Sequence, residues 1–216
     1  MLKKYSIPKT DIVIKNEKIL ELVRGKRVLH SGATGSPNYK DYKNSLHYKL
    51  EKTAKFVIGV DIDEKAIEYL RDKYKVSNII YGNVEEIDDI DIVKNVEWDY
   101  ILALDIIEHI SNIGKALDAI KNVMNKNTRL IITLPNVFSF RVLFNYVIKH
   151  KELVDPTHTF WPSYVTFSNL LKRHGYTIES FYFSLYAPPP RIIKTIFKIL
   201  PYFASGLFFI CKSGGG

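Results

Sequence analysis

Two stretches hold the residues best suited to chemistry: VLHSGATGSP at residues 28–37 and VIGVDID at residues 57–63. The first reads as a buried strand running into a glycine loop, the second as a buried strand ending in a carboxylate. A strand, a tight Gly turn, a crossover and a second strand tipped with Asp is how α/β folds hold a nucleoside cofactor. The glycines let backbone approach the ligand, and the acid takes the ribose hydroxyls. The loop Gly32-Ala33-Thr34-Gly35 lacks the full G-x-G-x-x-G spacing, and no Lys followed by Ser or Thr makes it a P-loop. It suits a ligand without a pyrophosphate. A carboxylate such as Asp61 at the end of an inner strand is costly without a partner. A ribose diol offers two donors, and Asp63 is available to cap the helix that follows.

Further candidates lie after the later strands. Gly82 and Asn83 follow a third strand, where an amide can pair with an adenine edge or simply serve a turn. Residues 105–110, DIIEHI, follow a fourth, and put Glu108 and His109 near the carboxyl edge where open α/β sheets bind ligands. The same pair also reads as an ordinary polar opening to the next helix. Pro135 and Asn136 end a fifth strand, and His158 lies between Asp155 and Trp161 in a polar, aromatic turn. If the chemistry needs a base, His158 and then His109 are the candidates. No second His or Cys falls at ligand spacing from His109, so a metal is not expected.

These positions need a frame. Hydrophobic periodicity predicts an opening helix over residues 10–25 and strands at 27–31, 56–61, 78–81, 100–104 and 129–134. A polar Gly/Pro/Asn-bearing loop takes 32–43. Helices at 45–52, from Asp63 to Tyr74 and after a cap at Ser111 fall between the strands. Alternation of this kind builds a doubly wound, mostly parallel sheet. After the fifth strand come an aromatic helix (138–149), a turn (155–162), a helix (163–174) and two strands, 176–184 and 207–212, expected to pair antiparallel. The expectation is an α/β fold with a seven-stranded sheet, one domain over 1–212, a cap insertion at about 137–162 and a flexible tail at 213–216.

The chain has 216 residues, 46% of them hydrophobic, enough for a core of its own. One cysteine, Cys211, excludes a disulfide framework. No apolar run reaches the roughly 18 residues of a membrane span, and the first residues lack a signal-peptide core. A cytoplasmic location is expected. The net charge of +8 comes from scattered lysines rather than a dense block, so a nucleic-acid partner is not expected. Residues 188–212 carry an apolar face (Ile192, Ile193, Ile196, Phe197, Leu200) beside Arg191, Lys194 and Lys198. It suits peripheral contact with an anionic membrane, but the preferred reading is a core helix leading into the last strand.

The order of motifs resembles the class I S-adenosylmethionine-dependent methyltransferases over nearly the whole chain. The match rests on DYILALDIIEHI at 99–110, RLIITLPN at 129–136 and the stretch from Asp155 through His158 to LLKRHGYTIESF at 170–181. The resemblance implies that Gly32, Ala33 and Gly35 pass under the methionine part of S-adenosylmethionine. It further implies that Asp61 binds the ribose, Ile62 packs on adenine, Asn83 and Val84 meet the adenine edge, and Asp105 and Ile106 close the other wall. The acceptor, a small molecule or glycan, would enter under residues 138–161. The family's first motif usually begins with an acid and holds more glycines; here His30 stands for the acid. V-L-H-x-G, with Leu46-His47 before G-V-D, is similar to a subgroup associated with surface-polysaccharide and glycosyltransferase gene clusters. The place after the fourth strand, where nucleic-acid amino-methylating enzymes carry a D/N-P-P-aromatic loop, reads Asp105-Ile106-Ile107-Glu108, which argues against a base-amine target. Two alternatives remain. An NAD-dependent oxidoreductase shares Asp61 but needs a fuller glycine fingerprint, and a methyltransferase-fold binding protein would bind without turnover.

Overall fold

The structure, a computed structural model, describes residues 3–214, and for Arg191 to Lys194 the backbone alone. One sheet of eight strands runs in the order β1-β7-β8-β6-β5-β2-β3-β4. The strands are β1 (Ile12–Ile14), β2 (Arg27–Ser31), β3 (Phe56–Asp61), β4 (Ile79–Tyr81), β5 (Tyr100–Leu104), β6 (Arg129–Pro135), β7 (Tyr176–Leu185) and β8 (Gly206–Ser213). The helices are α1 (Lys15–Leu22), α2 (Leu46–Thr53), α3 (Glu64–Tyr74), α4 (Asp91–Lys94), α5 (Ile113–Asn122), α6 (Phe140–Lys149), α7 (Tyr164–Arg173) and α8 (Arg191–Ile199). Only β8 runs against the rest, pairing antiparallel with β6 and β7.

The sheet has eight strands rather than the expected seven. Ile12–Ile14, read as the start of an opening helix, instead pairs parallel with Phe183–Leu185 at the sheet edge. Three β-branched residues in a row favour a pleated, half-buried strand, and the helix begins only at Lys15. Alternation along the strands separates two cores. Leu29, Ile101, Leu130, Ile132 and Phe209 face one side, packing with α5 and α7 through Leu117, Ile120, Phe167 and Leu171. Val28, Leu102, Ile131 and Phe208 face the other, under Ile19 and Val23 of the α1 segment and Leu50 of α2. The period-two pleat thus lets central strands read as continuous apolar runs.

Caps set where the helices begin. The Asp63 side chain accepts from the Ala66 N–H, Ser45 from Tyr48, and Ser163 from Thr166 in a capping box. The cap of α5 is Asn112, not Ser111: its side chain accepts from the Lys115 N–H. The helix expected from Phe138 begins at Phe140 behind the Ser139 cap. The tail begins later than expected: Ser213 belongs to β8, and the Gly214 N–H donates to the Gly175 carbonyl at 2.7 Å. Gly215 and Gly216 lie outside the described residues. In α8 Phe197 packs on the core, while Ile196 and Ile199 are exposed. The expected apolar face at Ile192 and Ile193, with Arg191 and Lys194, falls on side chains outside the described residues. No helix among the described residues is long and apolar enough to cross a membrane.

Candidate active site

The sheet order reverses direction at β2. From there the chain moves outward through β3 and β4, then returns to build β5 and β6 on the other side. The carboxyl ends of β2 and β5 form the switch point, the place where such sheets bind ligands. Gly32 leaves β2 at φ +76°, and a Cβ there would lie 2.5 Å from Ile106 Cγ2. A side chain at Gly32 would therefore push the turn after β2 away from Ile106 after β5.

Asp61, at the end of β3, holds the glycine loop. The Thr34 N–H and hydroxyl donate to its Oδ2 at 2.9 and 2.8 Å, and the Asp63 N–H donates to Oδ1 at 3.0 Å. Oδ1 keeps lone-pair capacity for a further donor. Ile62 beside it is 65% exposed, and a Cβ at Gly35 would meet nothing within 4 Å. An acceptor carboxylate, an exposed apolar side chain and open space over the loop fit the ribose, adenine and methionine parts of S-adenosylmethionine. Asn83 is exposed and its side-chain oxygen accepts from the Glu85 N–H, while Val84 packs into the core. Thr34, which the loop's glycine spacing did not single out, is the residue that ties loop to acid.

His30 and His47 account for the departure from an acid in the first motif. Both are buried, their rings stack 5.4 Å apart, and the two Nδ1 atoms lie at 3.2 Å. One must donate and the other accept, so at least the accepting ring is neutral. Burial pushes His30 well below its ordinary pKa and His47 down to about 4. Gly59 of β3 makes the room: a Cβ there would sit 2.5 Å from the Ala33 Cβ and 2.8 Å from His47 Cε1. The V-L-H-x-G, L-H and G-V-D motifs thus meet in one contact.

Asp105 turns the chain out of β5 at φ +50°, a conformation that costs energy for a non-glycine residue. Three side chains hold it. Lys15 forms an ion pair with Oδ2, the Tyr186 hydroxyl donates to the same oxygen at 3.2 Å, and the Thr133 hydroxyl donates to Oδ1 at 2.7 Å. Asp105 anchors the wall that Ile106 presents to Gly32. Lys15, Thr133 and Tyr186 come from three distant elements, and no sequence spacing pointed to them.

Beyond Asp105 lies a second cluster. Glu108 is 1% exposed in the turn Ile107–His109, and its Oε2 has no hydrogen-bond partner. Burial, aided by the charge on Asp105, pushes its carboxyl up to about 8. His158 reaches the same place from the segment after α6, its ring edge-on to that of His109 at 4.6 Å. Burial lowers the His158 pKa, with His109 adding to the effect, and its Nδ1 is buried without a partner. Ligand atoms of Glu108, His109 and His158 all lie within 4.8 Å of one another. No second His falls at ligand spacing from His109 in the sequence; the cap brings His158 in across a span that motif spacing does not cover.

The cluster has a support. The Thr157 hydroxyl donates to Asp155 Oδ1 at 2.6 Å, and the Thr157 oxygen lies 2.8 Å from His109 Nδ1. An ionised carboxylate only accepts, so the hydroxyl proton is spent on Asp155 and His109 Nδ1 must donate. That tautomer leaves the lone pair on Nε2. Two further bonds fasten the cap: the Thr159 N–H donates to the Glu108 carbonyl at 2.8 Å, and the His158 N–H to the Asp155 carbonyl at 3.0 Å. Asn136, after β6, instead secures the 202–204 segment, donating to the Tyr202 and Ala204 carbonyls at 2.8 Å each.

Residues 43–180 match the model of a family described as a methyltransferase domain. Among solved structures, a SAM-dependent methyltransferase from Archaeoglobus fulgidus is similar at a TM-score of 0.61 and 18% identity, covering 92% of this chain and 91% of that one. An S-adenosylmethionine-dependent methyltransferase from Clostridium acetobutylicum is similar at 0.58 and 13%, covering 92% and 89%. Another from Mesorhizobium loti is similar at 0.56 and 12%, covering 91% and 95%. No curated protein sequence matches. With a strand-order reversal at β2, an acid at the end of β3 and a family match over more than half its length, the chain belongs to the methyltransferase-domain family and has the class I S-adenosylmethionine-dependent fold.

Proposed function

We propose that the protein transfers a methyl group from S-adenosylmethionine to a hydroxyl of a small-molecule or glycan-type acceptor. The observation that carries this reading is the chain Asp155–Thr157–His109, which leaves an imidazole lone pair beside His158 and the buried Glu108. When bound, S-adenosylmethionine supplies a methyl group already activated by a positively charged sulfur. The residues of this chain then have two tasks. Asp61, Ile62 and the loop from Gly32 to Gly35 hold the cofactor in one orientation, and alignment of that kind contributes on the order of 7 to 11 kcal/mol. The Glu108–His109–His158 cluster is where the acceptor hydroxyl loses its proton, a contribution of about a hundredfold or more.

A glycan-type acceptor in surface-polysaccharide synthesis is favoured by the His30, His47 and Gly59 motifs, which the resemblance ties to such gene clusters. A single, buried Cys211 suits a reducing compartment such as the cytoplasm. The test is transfer of label from methyl-labelled S-adenosylmethionine to a panel of saccharides, phenols and amines. Label is expected on hydroxyl acceptors; label confined to amines would overturn the reading.

A further inference from the structure

Glu108, His109 and His158 come from two separate segments, yet each offers a ligand atom within 4.8 Å of the other two. One carboxylate and two imidazoles is a donor set that three-ligand metal centres use, with at least one coordination position left open. A tetrahedral zinc ion holds its ligands about 3.4 Å apart. The observed spread needs side-chain shifts of only about 1 Å to close on such an ion.

Three independent observations make this more than a meeting of polar groups. The Glu108 side chain is 1% exposed and its Oε2 lacks a partner, although a buried carboxylate oxygen without one is costly. His158 Nδ1 is likewise buried and unpartnered. His109, in contrast, has its non-coordinating nitrogen tied down: Nδ1 donates to Thr157, which donates to Asp155. A carboxylate relayed to the back of an imidazole is how metal-bound histidines are oriented, fixing the tautomer that presents Nε2. Nothing about a general base requires the second imidazole and the buried acid. A cation answers to all three.

We propose that Glu108, His109 and His158 form a site for a divalent transition-metal ion, with Asp155 and Thr157 as its positioning residues. With the metal bound, the His109 lone pair would serve as a ligand rather than a base: the open position would receive the acceptor oxygen, the cation would acidify its hydroxyl, and the proton would pass to water. The inference thus deepens the hydroxyl-activation reading above and rests on it for its role, though not for the binding itself. Nitrogen donors in this number select zinc-like ions over magnesium.

Isothermal titration of Zn2+ alone into chelator-treated full-length protein, without cofactor or acceptor, tests the site. One Zn2+ per chain is expected to bind, and Glu108→Gln, His109→Ala and His158→Ala are each expected to weaken binding by at least tenfold. His174→Ala, which removes an imidazole paired with Asp118 elsewhere, is expected to leave it unchanged. Thr157→Val keeps the three ligands and is expected to weaken binding by about tenfold through the lost orientation of His109. Co2+ in place of Zn2+ is expected to give the visible absorption of a low-coordinate site, lost in His158→Ala. Melting curves of each variant separate lost ligands from lost fold; if the Ala variants fail to fold, Thr157→Val and the Co2+ spectrum carry the test. No stoichiometric binding, or binding undiminished by folded His109 and His158 variants, would overturn the proposal. Failure to find a hydroxyl acceptor would leave these outcomes intact.

Discussion

On the side proposed for the cofactor the charged groups are already engaged by the protein itself. Asp61 accepts from Thr34 and Asp63, and Asp105 is held by Lys15, Thr133 and Tyr186. On the acceptor side Glu108 Oε2, His158 Nδ1 and Trp161 Nε1 are buried without partners. The helix α6, which precedes His158 in the chain, buries none of its residues and exposes Phe140, Phe144, Tyr146 and Ile148. The contrast separates two kinds of preparation. The wall proposed for the cofactor is held by its own hydrogen bonds. The wall proposed for the acceptor holds unmet polar capacity, open to a ligand or water.

The sharpest break in this comparison comes from the acceptor side. His109→Ala is expected to lower turnover by about 100- to 10,000-fold, with the affinity for S-adenosylhomocysteine within about twofold of wild type, since none of the Asp61 or Thr34 bonds changes. Steady-state kinetics and calorimetry on the same preparation check both halves. Equal losses in turnover and cofactor binding would mean that the two walls are not independent.

The glycine turn, the strand-end acid and the helix cap were legible in the chain because they are local. The turn after β2, the acid after β3 and the Asp63 cap lie within a few residues of an apolar run that betrays the strand. The short β1 was missed because Ile12 to Ile14 satisfy a helical apolar face as well as a strand, and only pairing with Phe183 to Leu185 decides between them. The partners of Asp105 were illegible for the same reason, since Lys15, Thr133 and Tyr186 are neighbours only once the sheet is assembled. His109 and His158 were each singled out, but their meeting was not, because it depends on how the cap folds back over the 107–109 turn. His30 read as a departure from an acid; the stacking partner that explains it, His47, lies across a loop and a helix cap.

That pair supplies the next prediction, on the cofactor side. Both imidazoles are neutral in the fold and both pKa values are depressed, His47 to about 4. The unfolded chain takes up protons near pH 6.5 while the native pair does not, so stability is fully present above about 6.5 and is lost as pH falls toward 4. From His47 alone the loss is about 3 kcal/mol. Urea unfolding at pH 7 and pH 4.5 is expected to show this slope, and the double replacement His30→Leu, His47→Leu is expected to flatten it whatever its effect at neutral pH. A slope unchanged in the double variant would assign the acid sensitivity elsewhere.

Asp61→Ala attacks the hydrogen-bonded wall at its anchor. It strands the Thr34 and Asp63 amides and removes the acceptor for the ribose, and cofactor affinity is expected to fall by about 100-fold, equivalent to about 2.7 kcal/mol. Zn2+ binding at Glu108, His109 and His158 is expected to persist in the folded variant. If Asp61→Ala abolished metal binding as well, the two walls would have to be treated as one cooperative unit.

The smallest effect tests whether the exposed side chain on the cofactor wall is there for a ligand. Ile62 is 65% exposed, so it contributes little to the core. Ile62→Ala is accordingly expected to change folding stability by less than about 0.5 kcal/mol. Packing on adenine would bury roughly 40 Å² of the side chain that the variant lacks, worth about 1 kcal/mol or about fivefold in affinity. Calorimetry with S-adenosylhomocysteine beside thermal unfolding of the free protein distinguishes the two quantities. A fivefold loss of affinity without a shift in melting makes Ile62 a surface reserved for the adenine ring. Unchanged affinity would move the ring elsewhere at the switch point, and would leave Asp61 as the only fixed point on that wall.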